Sequence, residues 1–151
     1  MKKILFTALI LSSFFVGCKK KEDKPATAQT RTQLLTAHNW IMTALTVNPP
    51  IAVGGTQISD LFAQTVNCSK DDFVKFNTNL TVLYDEGATK CDPRDPQTTN
   101  GVWSFNTDET IITVDGESQK IETLNATQLK TSSTEVEDGI SYTYTETYSK
   151  K

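Results

Sequence analysis

CSKDDFVKFNTNLTVLYDEGATKC, residues 68–91, followed by NGVWSF at 100–105, is the stretch that decides the fold. Two apolar runs, Phe73–Phe76 and Leu80–Tyr84, flank the polar trio Asn77-Thr78-Asn79. Short β-favouring runs around turn-forming residues predict a β-hairpin. Cys68 and Cys91 stand outside its two arms, where a bridge would tie the open end. Val102–Phe105 then predicts a further strand, reached through the polar loop Asp85–Asn100.

The same reading extends in both directions. Upstream, Thr30–Thr36 predicts a short helical turn, with Thr30 as cap and Gln33 three residues on. Asn39–Val47 alternates with period two, placing Trp40, Met42 and Ala44 on one face and Ile41, Thr43, Leu45 and Val47 on the other. Pro49-Pro50 is expected to end this strand, because proline cannot donate to a ladder. Residues 51–67 read as an insertion with a short helix over Ser59–Gln64, its apolar side plugging a barrel end. Downstream, strands are expected over 110–114, 117–124, 128–133 and 140–148, with Asp115-Gly116 the strongest hairpin turn in the chain. In the last strand Ile140, Tyr142, Tyr144, Glu146 and Tyr148 share one face opposite a serine and threonine face. The tyrosine face is therefore expected to point inward.

Eight short strands, each turning into the next, predict an all-β fold: an eight-stranded antiparallel up-and-down barrel with short helical insertions. Closure removes both sheet edges, and an open sandwich is the alternative. Eight strands leave an interior that side chains fill or that holds one small ligand.

The N-terminus is a processing segment. Lys2 and Lys3 precede an apolar run, Ile4–Phe15, too short for a membrane-spanning helix, which needs about 20 residues. Phe15-Val16-Gly17-Cys18 resembles the lipobox of bacterial lipoprotein signal peptides, with Phe15 where leucine is usual. The resemblance implies a signal peptide over 1–17, acylated Cys18, a flexible tether over 18–30 and a barrel domain over 31–151. Each acyl chain adds about 0.8 kcal/mol per buried methylene, so three chains anchor permanently. Lys19 after the cysteine resembles outer-membrane sorting, facing either the periplasm or the exterior. An ordinary secretory signal is the alternative.

The chain has 15 basic and 18 acidic residues; loss of Lys2 and Lys3 with the leader takes the net charge from −3 to −5. A mildly acidic domain offers no footprint for nucleic acid. Of three cysteines, Cys18 goes to lipid and Cys68 and Cys91 remain as an even pair in an oxidising compartment. A structural disulfide is expected. The metal or redox alternative lacks both a neighbouring histidine and a C-x-x-C.

Leu34-Leu35-Thr36, Trp40, Asp72-Phe73, Cys91, Gly101–Phe105 and the Leu124/Leu129 pair together resemble the lipocalin-like lipoprotein domains of Gram-negative bacteria, over Thr32 to Tyr148. The resemblance implies a small calycin-like barrel behind a lipobox. Trp40 also resembles the tryptophan of the G-x-W of true lipocalins, with His38 in the place of the glycine.

No catalytic group is expected. His38 is the only histidine, and G-x-S-x-G, the P-loop and H-E-x-x-H are all missing. The acidic pairs Asp71-Asp72, Asp85-Glu86, Asp92/Asp95 and Glu135/Glu137-Asp138 read as solvated turn residues without calcium-loop spacing. No metal or cofactor is expected. The binding candidates are the inward aromatics Trp40, Tyr84, Trp103, Phe105, Tyr142 and Tyr144, which pair apolar bodies with polar tips. Two functions follow. A hollow barrel would hold a small, partly hydrophobic ligand. A filled one would present the loops 53–67 and 85–100 to a protein or glycan partner of the envelope.

Overall fold

A computed structural model describes residues 28–151; the leader, Cys18 and the tether up to residue 27 lie outside the described residues. The chain opens with helix α1 (Arg31–Thr36), whose first turn is closed by a capping box. The Thr30 hydroxyl accepts from Gln33 N, and the Gln33 side chain accepts from Thr30 N. Nine strands follow: β1 (Asn39–Val53), β2 (Thr56–Asp60), β3 (Phe73–Phe76), β4 (Thr81–Asp85), β5 (Thr98–Phe105), β6 (Ile111–Val114), β7 (Glu117–Leu124), β8 (Gln128–Glu137) and β9 (Ile140–Lys150). All pairings are antiparallel, and β1 pairs with β9, so β1 and β3–β9 close an eight-stranded barrel as expected.

The ninth strand is β2. Trp40 pairs across to both Val74 of β3 and Lys150 of β9, and Thr46 pairs to both Asp60 of β2 and Thr145 of β9. β2 and β3 therefore occupy the same edge of β1, one beyond the other. This corrects two expectations. Pro49-Pro50 does not end β1, and 51–60 forms a hairpin through Gly54-Gly55 instead of leading into a helix over 59–64. The prolines are tolerated because they fall between ladders: β9 pairing stops at Asn48, and β2 pairing resumes at Ile51. Of the expected helix a single 3-10 turn, Phe62–Gln64, remains, and a second 3-10 turn follows at Asn67–Lys70.

The face assignment of β1 also changes partway. Met42 pairs with Tyr148 but Ala44 pairs with Thr147, so Thr43 is an extra residue, a β-bulge. Directly opposed residues share a face. Trp40 and Met42 point inward before the bulge, and Leu45 and Val47, opposite Glu146 and Tyr144, do so after it. A single inserted residue inverts every later side chain.

The core fills one end of the barrel. Leu35 of α1 packs with Trp40, Phe76, Val82, Trp103, Ile112, Ile121 and Leu129. Trp40 is fully buried and its Nε1 donates to Leu35 O at 2.8 Å, which ties α1 across this closed end. Trp103 is buried beside it, edge-on to Phe76 and Phe105 with centroids 5.8 and 5.1 Å away, and its Nε1 donates to Asn77 O. Burying one such indole contributes about 5 kcal/mol at roughly 25 cal/mol per Å². The opposite end is uneven. The β7 ladder on β8 reaches only Ser132, so Ser133–Glu137 of β8 pair with β9 alone and the β8–β9 hairpin projects past β7, while β1 follows β9 as far as Thr143.

Candidate functional site

Phe73, Asp85 and Thr98 mark the open end of β3, β4 and β5. Two segments frame it: the 3-10 turns at 62–70 and the β4–β5 loop. The Cys68–Cys91 disulfide joins them, with the sulfurs bonded and the Cα atoms 5.2 Å apart. Asp71 makes a second clasp, its Oδ2 accepting from Ala88 N and Thr89 N at 2.8 and 3.0 Å. Gly87 sits under it with φ 66°, and a Cβ there would meet Asp71 O at 2.5 Å, so only glycine fits. Gln97 completes the frame, its Nε2 donating to Asp85 Oδ1 and Gly87 O.

Beneath this frame lies a cavity of about 360 Å³. Trp40, Met42, Phe62, Phe73, Val74 and Pro96 give it apolar walls, Tyr84 and Tyr148 lie at its depth, and Asp72, Asp85 and Glu86 line its rim. A second cavity of about 220 Å³ continues along the barrel interior and shares Val74, Tyr84 and Tyr148 with the first. The inner chamber is half polar. Glu146 is its centre: Oε1 accepts from Gln119 Nε2 at 3.1 Å and Oε2 from the Tyr148 hydroxyl at 2.6 Å. Gln119 in turn accepts from Thr131 Oγ1 at 2.7 Å, which satisfies a threonine otherwise buried among apolar neighbours. Burial, reinforced by Glu146, pushes the Tyr148 phenol well above its usual range. Tyr84 is pushed up as well, first by burial and then by its 2.6 Å bond to Asp115 Oδ2. Asp115 holds the wall at this point, its Oδ1 accepting from Val102 N. Asp72 is raised by burial and by the nearby carboxylates of Glu86 and Asp71.

Of the six aromatics proposed from the sequence, Trp40 and Tyr84 line the cavities. Trp103 and Phe105 point inward but lie in the packed core at the closed end. Tyr142 and Tyr144 line neither chamber. They share the inward face, opposite Glu135 and Ser133 of β8, beyond the reach of the β7 ladder, with Tyr144 also paired to Val47 of β1. Alternation reports the face of a strand, not the depth along it. Met42, Phe62, Phe73, Asp72 and Tyr148 complete the outer chamber, and the sequence reading had placed none of them in the site. Asp72, Asp85 and Glu86 are chamber residues rather than solvated turn acids. Among the described residues no three His, Cys, Asp or Glu side chains converge to hold a metal ion.

A family model described as "Lipocalin-like domain" matches residues 36–131. The chain belongs to the lipocalin-like domain family. The lipocalin-like barrel is also similar to solved structures of bovine odorant-binding protein. The complex with undecanal has 15% identity, covers 85% of this chain and 77% of that one, and gives a TM-score of 0.45. The protein from bovine nasal mucosa has 14% identity over the same shares, also at 0.45. No curated protein matches this lipocalin-like sequence.

Proposed function

We propose that the protein is a lipid-anchored binding protein of the outer membrane that holds a small, partly hydrophobic molecule in the open end of its barrel. The observation that carries the reading is the outer chamber: about 360 Å³, walled by Trp40, Met42, Phe62 and Phe73, with polar groups gathered at its rim and floor. A concave, mainly apolar pocket with a few placed polar groups is the usual form of a small-molecule site. Its volume suits an occupant of roughly ten to twenty heavy atoms, at the lower end of the usual range for ligand pockets. The filled barrel presenting its loops loses support with the two chambers.

Support for the anchor comes from Phe15-Val16-Gly17-Cys18 and the charged residues after it. Among the described residues no helix is long and apolar enough to cross a membrane. Two measurements test the two parts. Titration with the neutral fluorophore N-phenyl-1-naphthylamine is expected to saturate at micromolar concentration, and Met42→Trp, which fills the outer chamber, is expected to abolish it without lowering the melting temperature. Absence of saturable binding overturns the ligand reading. Cell fractionation of Cys18→Ala is expected to release the protein from membranes; retention overturns the anchor.

A further inference from the structure

The two chambers differ from a plain apolar cup in the sign of their polar lining. Asp72, Asp85 and Glu86 stand at the outer one and Glu117 and Glu146 at the inner one, and among the described residues no lysine, arginine or histidine lines either. Two ammonium groups lie against aromatic rings of the outer chamber. Lys70 lies over the Phe62 ring at 5.7 Å, and Lys151 lies over Phe73 at 4.2 Å while donating to Asp71 O. Asp72 lines the outer chamber and its Oδ1 is buried without a hydrogen-bond partner. A buried acceptor left unpaired is unfavourable, and a donor on a ligand would relieve it. At the inner end Glu146 takes one donor on each oxygen, from Gln119 and Tyr148. Each carboxylate oxygen has about two acceptor sites, so each retains capacity for one more donor.

We infer that the ligand is an amphiphile with an ammonium or other hydrogen-bond-donating head, seated against Glu146, and an apolar body lying between Trp40, Met42, Phe62 and Phe73. The inference rests on the chambers being the ligand site. Its chemistry follows from complementarity. An ammonium meets acceptors at both the rim and the floor, and the carboxylates at the mouth raise its local concentration. A fatty acid of the same length would bring its own carboxylate against five others with no cation lining either chamber, a like-charge contact in a partly desolvated site. Burial and the carboxylates of Glu86 and Asp71 raise the protonation range of Asp72 despite an opposing pull from Lys151, which fits the same crowding of acids at the chamber. Selectivity here comes as much from rejecting anions as from holding cations.

The test is displacement of N-phenyl-1-naphthylamine from the full-length protein by three probes of one chain length, dodecylamine, dodecanol and dodecanoate, at neutral pH. Dodecylamine is expected to displace at a concentration at least about tenfold below dodecanoate, with dodecanol between them, the scale of one charge-assisted hydrogen bond gained or lost. Glu146→Gln keeps an acceptor for Tyr148 and is expected to reduce the amine preference, read as the ratio of amine to carboxylate displacement within that variant, to about threefold or less. Equal displacement by amine and carboxylate, or a preference that survives Glu146→Gln intact, overturns the inference while leaving the binding site standing. Failure of the wild-type protein to bind the fluorophore at all overturns both.

Discussion

Replacing Cys68 and Cys91 by serine together isolates what the one disulfide contributes. The bridge closes a loop of 23 residues. The chain-entropy estimate gives about 11 cal/mol/K for the unfolded freedom it removes, or about 3.4 kcal/mol at 25 °C. Against a total stability of roughly 5–15 kcal/mol that is a large share. At about 4 °C per kcal/mol for a domain of this size, the melting temperature is expected to fall by about 14 °C. Urea unfolding followed by the fluorescence of Trp40 and Trp103, both buried, is a suitable assay. With a slope near 1.5 kcal/mol/M, the midpoint moves down by on the order of 2 M. The slope itself is expected to rise, because the unbridged unfolded chain exposes more surface. A midpoint that moves by less than about 0.5 M with an unchanged slope would refute the reasoning. It would mean that the Asp71 clasp and the Gln97 bonds already hold the two segments as a unit and that the bridge is redundant.

Three further outcomes are expected. Trp40→Phe removes the donor to Leu35 O and leaves that carbonyl buried and unpaired, costing about 2–3 kcal/mol in urea unfolding; a loss below about 0.5 kcal/mol contradicts the role of this bond in fixing α1. Gly101→Ala places a methyl group against the Asp115 carboxylate, so it is expected to cost about 1–3 kcal/mol. Asp115→Ala in the same chain clears the space, so the double variant is expected to be more stable than the sum of the singles predicts; strict additivity refutes the clash. The Tyr148 phenol keeps its proton in the barrel beyond the pH near 10 where it ionises in the unfolded chain. Its stabilisation is therefore complete below about pH 10 and declines as pH rises further, by up to about 1.4 kcal/mol per unit. Tyr148→Phe is expected to flatten that alkaline slope, while Tyr84 and Tyr144, raised in the same direction, retain the rest.

Local signals in the sequence carried most of the barrel. Asn77-Thr78-Asn79 between apolar arms, Asp115-Gly116, and the alternation of 140–148 each correspond to a turn or strand where expected. The Thr30/Gln33 capping box was legible because both partners lie within one turn. Misreadings came where a local rule met a tertiary circumstance. Pro49-Pro50 signals a strand end, but these prolines lie in a stretch of β1 that no neighbour needs for hydrogen bonding. The Thr43 bulge carries no composition of its own, since a threonine there suits a regular strand equally well. The site was the least legible part. Its walls come from Met42, Phe62, Phe73 and Tyr148, residues far apart in sequence that only the closure of β1 on β9 and the bridged rim bring together. Trp103 and Tyr144 were indistinguishable from Trp40 and Tyr84 by type and face, because the tilt of the strands, invisible in the alternation, sets their height in the barrel.

The projecting end of β8 has a consequence for self-association. Ser133–Glu137 pair on one side only, which leaves a backbone edge open to any extended strand that meets it. Val136 on that segment is 69% exposed, and the segment is rich in β-formers. Glu135 and Glu137 alternate with it, so a second copy arriving edge to edge in antiparallel fashion would set carboxylates beside carboxylates. These two acids therefore work against edge-to-edge pairing of two barrels along this strand.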